Sequence, residues 1–231
     1  MSFIDSVNLG TARPIAAKSG MSGIDKRPVD GPVLVRAPGP KGAGSSGLAG
    51  DRICDTDNHG GGDQAVYAYS REDLDAWQHE LGRPLPSGIF GENLTTRGLD
   101  VTTAVIGERW RIGKEVVLQV TAPRIPCRTF AVWLGLHGWV RTFTLRAVPG
   151  AYLRVIRPGH VRRGDPVSIR HRPDHDVTIG MTFRALTTQP ELLPLLLQAD
   201  DLPEEIRERA RRRMPFDIPD IPPTDLTHAS L

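Results

Sequence analysis

The sequence predicts a mainly β fold, a closed or partly closed barrel, followed by a small group of helices. Residues 105–122 alternate apolar and polar side chains on either side of Gly113 and Lys114, which is typical of a β-hairpin. A similar alternation returns at residues 151–169, where glycines again separate short runs. Several short strands broken by glycine turns, with few helices between them, indicate a β-barrel.

Two helices are predicted inside this β-rich part: an apolar one in "TFAVWLG", after a strand that ends near Pro123, and one that begins after Ser70. Asp73 follows that serine at the spacing of an N-terminal cap, and Leu74, Trp77 and Leu81 fall on one helical face. The segment therefore predicts an amphipathic helix that packs on the barrel.

The pattern changes after residue 170 to three short helices, which are separated at residues 187–190 and 200–203. This segment contains no cysteine and no glycine-rich loop, and "ELLPLLLQ" offers a broad apolar face. We expect it to cover apolar barrel surface rather than to carry chemistry. The predicted division is a barrel domain at 1–170, a three-helix domain at 171–214 and a proline-rich tail at 215–231.

Composition argues against several classes of protein. The net charge of +2, with 24% charged residues, does not mark a protein that binds a nucleic acid polymer or a membrane surface, so we expect a small-molecule partner. The N-terminus lacks an apolar signal region, and the uncharged stretch at 129–140 is too short to span a bilayer. These observations predict a cytoplasmic protein with no membrane segment.

Cys127 lies in "APRIPCRTF", one of only two cysteines in the chain. Cys54 and Cys127 are too few for a cysteine-ligated iron–sulfur cluster, and a disulfide between them would be unusual in a reducing cytosol. An inert core thiol, a nucleophile and a soft-metal ligand remain open. If Arg124 and Arg128 lie close to Cys127, they favour the thiolate that the last two roles require.

The segment "DNHGGGDQAVYAYS" brings His59 onto a run of glycines ahead of a predicted strand. Such a run can point backbone N–H groups at an anion, or it can form a tight turn with a surface histidine. "GIFGENLTT" is a second glycine-flanked loop, in which Asn93 can bond a ligand or its own backbone. Neither segment alone decides between these alternatives.

Four segments in this order resemble the motifs of the MOSC domain, the module named after the C-terminus of molybdenum cofactor sulfurases. They are "GLAGDRICDTDNHGGGDQAVYAYSRE", "GIFGENLTTRGLDVTTAVIGERWRIG", "LQVTAPRIPCRTF" and "PGAYLRVIRPGHVRRGDPVSI". The resemblance runs from about residue 6 to residue 170. The three helices that follow resemble the appendage of the stand-alone bacterial subfamily that reduces N-hydroxylated compounds.

The resemblance implies a MOSC β-barrel that holds the molybdenum cofactor, Mo-molybdopterin. It makes Cys127 the protein thiolate on the metal and places His59 at the metal pocket. The residues it implies for binding the pterin and its phosphate are Lys26, Arg27, Arg52, Gly60, Gly61, Asn93, Arg124 and Cys127. Many relatives carry a basic residue where this chain has Gln64, so one phosphate or substrate contact is expected to be weaker or to be supplied by Arg27.

The function implied is reduction of hydroxylamines, N-hydroxy bases or amidoximes, with His59 as the candidate proton donor. The glycine run lacks dinucleotide-binding spacing, so we expect an external electron-donor reductase. Two alternatives stay open. One is a non-enzymatic carrier of the cofactor or its sulfur, and the other is a transferase that uses Cys127 and His59 as nucleophile and base.

Overall fold

The computed structural model describes residues 1–17, 20–42 and 46–218. Its strands are mostly short, as the spacing of glycine turns in the sequence predicts. They are β1 (Phe3–Gly10), β2 (Arg13–Pro14), β3 (Met21–Ser22), β4 (Lys26–Pro28), β5 (Val33–Val35), β6 (Val66–Ser70), β7 (Leu94–Arg97), β8 (Arg109–Ile112), β9 (Val116–Pro123), β10 (Ala151–Arg157), β11 (Gly159–Val161) and β12 (Val167–His171).

The helices fall into two groups, one inserted between strands and one after the last strand. They are α1 (Arg71–Leu81), α2 (Arg128–Leu134), α3 (Trp139–Arg146), α4 (Ile179–Thr187) and α5 (Glu204–Arg212), with 3-10 helices at Gly62–Gln64 and Pro190–Gln198. The predicted cap of α1 is confirmed, since the Ser70 side chain accepts a hydrogen bond from the Asp73 backbone N–H at 3.0 Å. None of these helices is both long and apolar enough to cross a membrane in the described part of the chain.

Eight strands form one mixed sheet in the order β12-β8-β9-β10-β6-β7-β1-β4. The predicted hairpin is confirmed as β8 and β9, which pair from Arg109 opposite Gln119 to Ile112 opposite Val116. Within this sheet β6 and β7 are parallel, and their crossover contains α1. The second alternating stretch is not a hairpin of its own, because β10 joins β9 and β6, β11 joins β5, and β12 joins β8.

The sheet is partly closed, and the described strands do not form a fully closed barrel. The Ile4 backbone N–H donates to the carbonyl of Asp165 at 2.9 Å, and the Val167 N–H donates to the carbonyl of Ser2 at 2.8 Å. The start of β1 therefore meets the segment that leads into β12. This contact is an isolated bridge between Phe3 and Pro166 rather than a ladder, so the sheet is curled but open along most of that edge.

The C-terminal helices pack against the sheet. Ile179, Leu186, Leu193 and Leu196 belong to the same buried cluster as the sheet residues, which agrees with their predicted covering role. Phe183 joins a second, aromatic cluster that is built mainly by α1, α2 and α3. The boundaries of the predicted domains stay a prediction, and most of the predicted tail, residues 219–231, lies outside the described residues.

Candidate functional site

The candidate site lies at the end of the sheet where β1 ends and β4, β6, β7 and β10 begin. The register brings these ends together, with Gly10 opposite Lys26, Ala68 opposite Leu94 and Tyr152 opposite Tyr67. They surround a cleft of about 680 Å³, including its open mouth. The cleft is lined by Met21, Ser22, Gly23, Ile24, Lys26, Asp51, Arg52, Ile53, Cys54, Asp55, His59, Gly60, Gln64, Tyr67, Gly91, Asn93, Arg124, Cys127, Thr129 and Tyr152.

One side of the cleft is a closed hydrogen-bond network, which we call the closed wall and define as Lys26, Asp51 and Asn93. The Lys26 Nζ lies 2.5 and 2.6 Å from the two carboxylate oxygens of Asp51. The same carboxylate accepts from Asn93 Nδ2 at 2.9 Å and from the Gly10 backbone N–H at 2.7 Å. Burial lowers the pKa of Lys26, and the nearby Asp51 carboxylate opposes that shift.

Asn93 also connects neighbouring strands through its backbone. Its N–H donates to the Tyr67 carbonyl at 2.8 Å, and its carbonyl accepts from the Asn8 N–H at 2.7 Å. Its side-chain oxygen accepts from the Tyr67 N–H at 3.2 Å. Asn93 therefore links β1 to β6 while its amide faces the cleft.

A second group of lining residues, which we call the open wall, consists of Gln64, Arg124, Cys127 and Tyr152. Arg124 is 6% exposed, its Nη1 donates to the Phe90 carbonyl at 2.7 Å, and its guanidinium carbon lies 4.5 Å from the Phe130 ring centroid. Its buried Nε has no hydrogen-bond partner among the described residues. A buried N–H of a charged group without a partner is costly, so this atom is suited to receive an acceptor from a ligand.

Cys127 is half-buried at the N-cap of α2, in the connection that follows β9. Of the two flanking arginines, Arg124 lines the cleft, whereas Arg128 is exposed and lines an adjoining groove between α2 and α3, which Cys127 also borders. Cys54 lines the same cleft as Cys127, a placement that the sequence did not predict. Burial raises the pKa of the Cys54 thiol, which keeps it protonated at neutral pH.

The loop before β6 brings His59, Gly60 and Gln64 to the cleft. Burial lowers the pKa of His59 to about 4, and the positive charge of Arg124 adds to the shift. The side chain is therefore neutral at pH 7 in this structure. Gly61 is not among the lining residues; its φ is 79°, and a Cβ there would lie 2.8 Å from the Cα of Lys41.

Arg27 is predicted to bind the cofactor, but the structure places it outside the cleft. Its side chain is 68% exposed, lies outside the cleft lining, and pairs with Asp25 at 3.1 Å. Successive side chains of a strand point to opposite faces, so the burial of Lys26 at the start of β4 directs Arg27 outwards. The structure thus gives no geometric support to the idea that Arg27 compensates for Gln64.

Sequence reasoning missed Asp51, Tyr67 and Tyr152. A carboxylate partner for a buried Lys26 is a physical requirement, and Asp51 directly precedes the predicted Arg52, which was the available signal. Tyr67 and Tyr152 pair across β6 and β10 with ring centroids 5.2 Å apart. Burial raises the pKa of both phenols, although Arg124 acts in the opposite direction.

The chemistry of the lining favours an anionic ligand with a soft centre. Lys26, Arg52 and Arg124 supply positive charge, and Cys127 supplies sulfur. Among residues 1–17, 20–42 and 46–218, no group of three or more His, Cys, Asp or Glu side chains is placed to hold a metal ion.

Comparison with known proteins supports the family resemblance that the sequence motifs indicate. The MOSC domain family matches residues 55–168. YflK of Bacillus subtilis, an uncharacterized protein, is 33% identical over 181 residues, which cover 78% of each chain. A protein of Gibberella moniliformis named "Reductase" is 29% identical over 189 residues, covering 79% of this chain but only 31% of that protein. The crystal structure of YiiM from Geobacillus stearothermophilus superimposes with a TM-score of 0.74 at 25% identity, covering 93% of this chain and 100% of the other.

Proposed function

Because the chain belongs to the MOSC domain family, we propose that it is a molybdenum-cofactor-dependent reductase of N-hydroxylated compounds. The observation that carries this proposal is the open wall, where the thiol of Cys127 shares one cleft with the buried, unpartnered Nε of Arg124. The pairing is significant because the cofactor joins a soft metal–sulfur centre to a phosphate. A relative named as a reductase is consistent with this class of activity.

The residues present fit the cofactor. A thiolate at Cys127 is the ligand type that a metal–sulfur centre accepts, and Arg124 and Arg52 are suited to hold a phosphate. Lys26 adds positive charge, although both of its observed contacts are to Asp51. Asn93 and Gly60 would form the cleft surface against the pterin.

The overall reaction converts R–NHOH, two electrons and two protons into R–NH2 and water. When bound, the molybdenum cofactor supplies the two-electron chemistry at the N–OH group. The protein positions the substrate, excludes water and supplies protons. His59 lines the cleft and is our candidate proton donor, a role that needs its protonated form. Its low pKa leaves it neutral at pH 7 in this structure, so the role requires that a bound anion raise that pKa.

The electrons must come from outside this chain. No disulfide or cysteine cluster is available, and the sequence carries no dinucleotide-binding spacing. An external flavin or iron–sulfur reductase is therefore the expected donor. Its place can be taken in an assay by a strong artificial reductant.

The test is elemental analysis of protein made in a host that synthesises the cofactor, followed by an assay with benzamidoxime. We expect bound molybdenum, reduction with dithionite-reduced methyl viologen, and no reduction with NADH alone. Molybdenum-loaded protein that fails to reduce any hydroxylamine, N-hydroxy base or amidoxime would instead support a non-enzymatic carrier. Molybdenum-free protein whose Cys127 is rapidly alkylated would support the transferase alternative.

A further inference from the structure

Gln64 contributes an unused hydrogen-bonding atom to the cleft. Its side-chain Oε1 is buried and has no partner among the described residues, while Gln64 itself lines the cleft. The lining also contains charged side chains of both signs, and this neutral amide differs from them in charge; they are Lys26, Asp51, Arg52, Asp55 and Arg124. It also lies close in sequence to His59 and Gly60, which line the same cleft.

The backbone that carries Gln64 is held in place. Asp63, the preceding residue, accepts from Arg154 Nη2 at 2.6 Å, and its backbone carbonyl accepts from Thr121 Oγ1 at 2.6 Å. The Gln64 backbone N–H donates to the Gly61 carbonyl at 3.2 Å. The 3-10 helix is thus anchored to β9 and β10, and the position of Gln64 at the cleft follows from that anchoring.

A buried polar atom without a partner has lost its hydrogen bonds to water and gained none in return, which is a cost to the folded protein. That cost is removed if a ligand places an N–H or O–H group against it. Arg124 Nε is an unpartnered donor in the same cleft, whereas Gln64 Oε1 is an unpartnered acceptor. A ligand that reaches these two atoms and carries both an acceptor group and a hydrogen-bond donor would satisfy both of them.

We propose that Gln64 is a specificity-determining residue, whose amide oxygen accepts a hydrogen bond from an N–H or O–H group of the bound ligand. This inference rests on the proposed function for the identity of that ligand. The donor belongs either to the hydroxyl of an N-hydroxylated substrate or to a ring or amino N–H of the pterin. Both sources share the same chemistry, and the two can be separated by experiment.

The experiment compares two probes in binding titrations, benzamidoxime and its O-methyl ether, which lacks the hydroxyl donor. The proteins are wild type, Gln64→Met, which removes the acceptor, and Gln64→Glu, which keeps one. If the substrate is the donor, wild type and Gln64→Glu bind benzamidoxime about 2- to 10-fold more tightly than the ether, and Gln64→Met loses that preference. The matched control is Gln78→Met, because the Gln78 Oε1 accepts from the Leu85 N–H outside the cleft.

A second measurement is the pterin content of each purified protein, read from the fluorescence of its oxidised form. If the pterin is the donor, content falls in Gln64→Met and is retained in Gln64→Glu, while probe preference is the same in all proteins. Equal pterin content and equal probe preference in wild type and Gln64→Met, including the absence of both, would overturn the inference. Neither measurement needs turnover, so an inactive protein that shows either effect refutes the proposed function alone.

Discussion

The two walls of the cleft use their polar groups differently. On the closed wall, Asp51 accepts from Lys26, Asn93 and the Gly10 backbone, so the observed contacts satisfy its carboxylate within the protein. On the open wall, Arg124 Nε and Gln64 Oε1 are buried without partners. Both walls are polar and both line one cleft, yet only the second retains unused hydrogen-bonding capacity.

This difference suggests that the closed wall holds parts of the chain in position, whereas the open wall binds the ligand. The closed wall joins three parts of the chain through one carboxylate, and removing any member leaves a buried charge or amide without its partner. The open wall contains buried polar atoms without hydrogen-bond partners, and a ligand that bonds to them removes that energetic cost. We therefore expect changes on the closed wall to affect stability first and changes on the open wall to affect ligand chemistry first.

The largest expected effect is on activity, from Cys127→Ser on the open wall. A hydroxyl is a poor substitute for a soft thiolate ligand, so reduction of benzamidoxime by reduced methyl viologen should fall to background. Cys54→Ser should keep activity, because burial raises the pKa of that thiol and disfavours a thiolate. Assays of both variants, with bound molybdenum measured in each, check this difference, and equal loss of activity in the two would contradict the assignment.

On the closed wall, Asp51→Ala should lower the free energy of unfolding by about 3–5 kcal/mol, because it leaves the buried Lys26 ammonium without a counter-charge. Denaturant unfolding measures this change. The control is Glu205→Gln, which breaks an exposed pair with Lys41 and should cost less than about 1 kcal/mol. Similar losses in the two variants would show that the closed wall is no more cooperative than a surface pair.

His59 gives the cleft a pH-dependent stability. Its pKa in the folded protein is about 4, below the ordinary value of 6.5, so the unfolded chain binds its proton more readily between those values. Stability is therefore lost as pH falls from 6.5 towards 4, by about 2 kcal/mol for this group. Unfolding measured at pH 7 and pH 4.5 should show a smaller loss for His59→Gln than for wild type. The exposed His137→Gln should follow wild type, and a His59→Gln curve identical to wild type would refute the shift.

The smallest expected effect comes from the anchor beneath Gln64. Arg154→Lys removes the fork that contacts Asp63 through Nε and Nη2 and Gln119 through Nη1. Since this pair is partly exposed, the loss of stability should be below about 1 kcal/mol. The dissociation constant of benzamidoxime should nevertheless rise a few-fold, because Gln64 is no longer held. Arg157→Lys, on the same strand, serves as the control, and an equal rise there would argue against an anchor.

Local elements were predictable from the sequence because their signals are local. The Ser70 cap, the break at Gly113 and the separators of the C-terminal helices lie within a few residues of the structures they control. The partners of β10, β11 and β12 were not predictable, since an alternating pattern states which face is buried but not which strand lies alongside. A hairpin is the local solution, and this chain uses distant partners instead.

The same limit applies to the site. The resemblance brought Cys127 and Arg124 to attention, and the structure places both at one cleft. Tyr152 enters only through its cross-strand register with Tyr67, which no spacing in the sequence reveals. Arg27, by contrast, is predicted at the site but lies outside the cleft. It follows Lys26 directly in a strand, so the two side chains point to opposite faces.

The bridge between the start of β1 and the segment before β12 has a consequence for how the protein is made. During synthesis β1 leaves the ribosome well before residue 165, so its contact near Asp165 waits for the whole segment between them. Contacts between such distant segments form slowly, because a long loop must close before they are gained. The cleft draws its lining from residues as far apart as Met21 and Tyr152, so it is completed at about the same stage. Any ligand that needs both walls can therefore bind only after the segments from Lys26 to Tyr152 have been made and brought together.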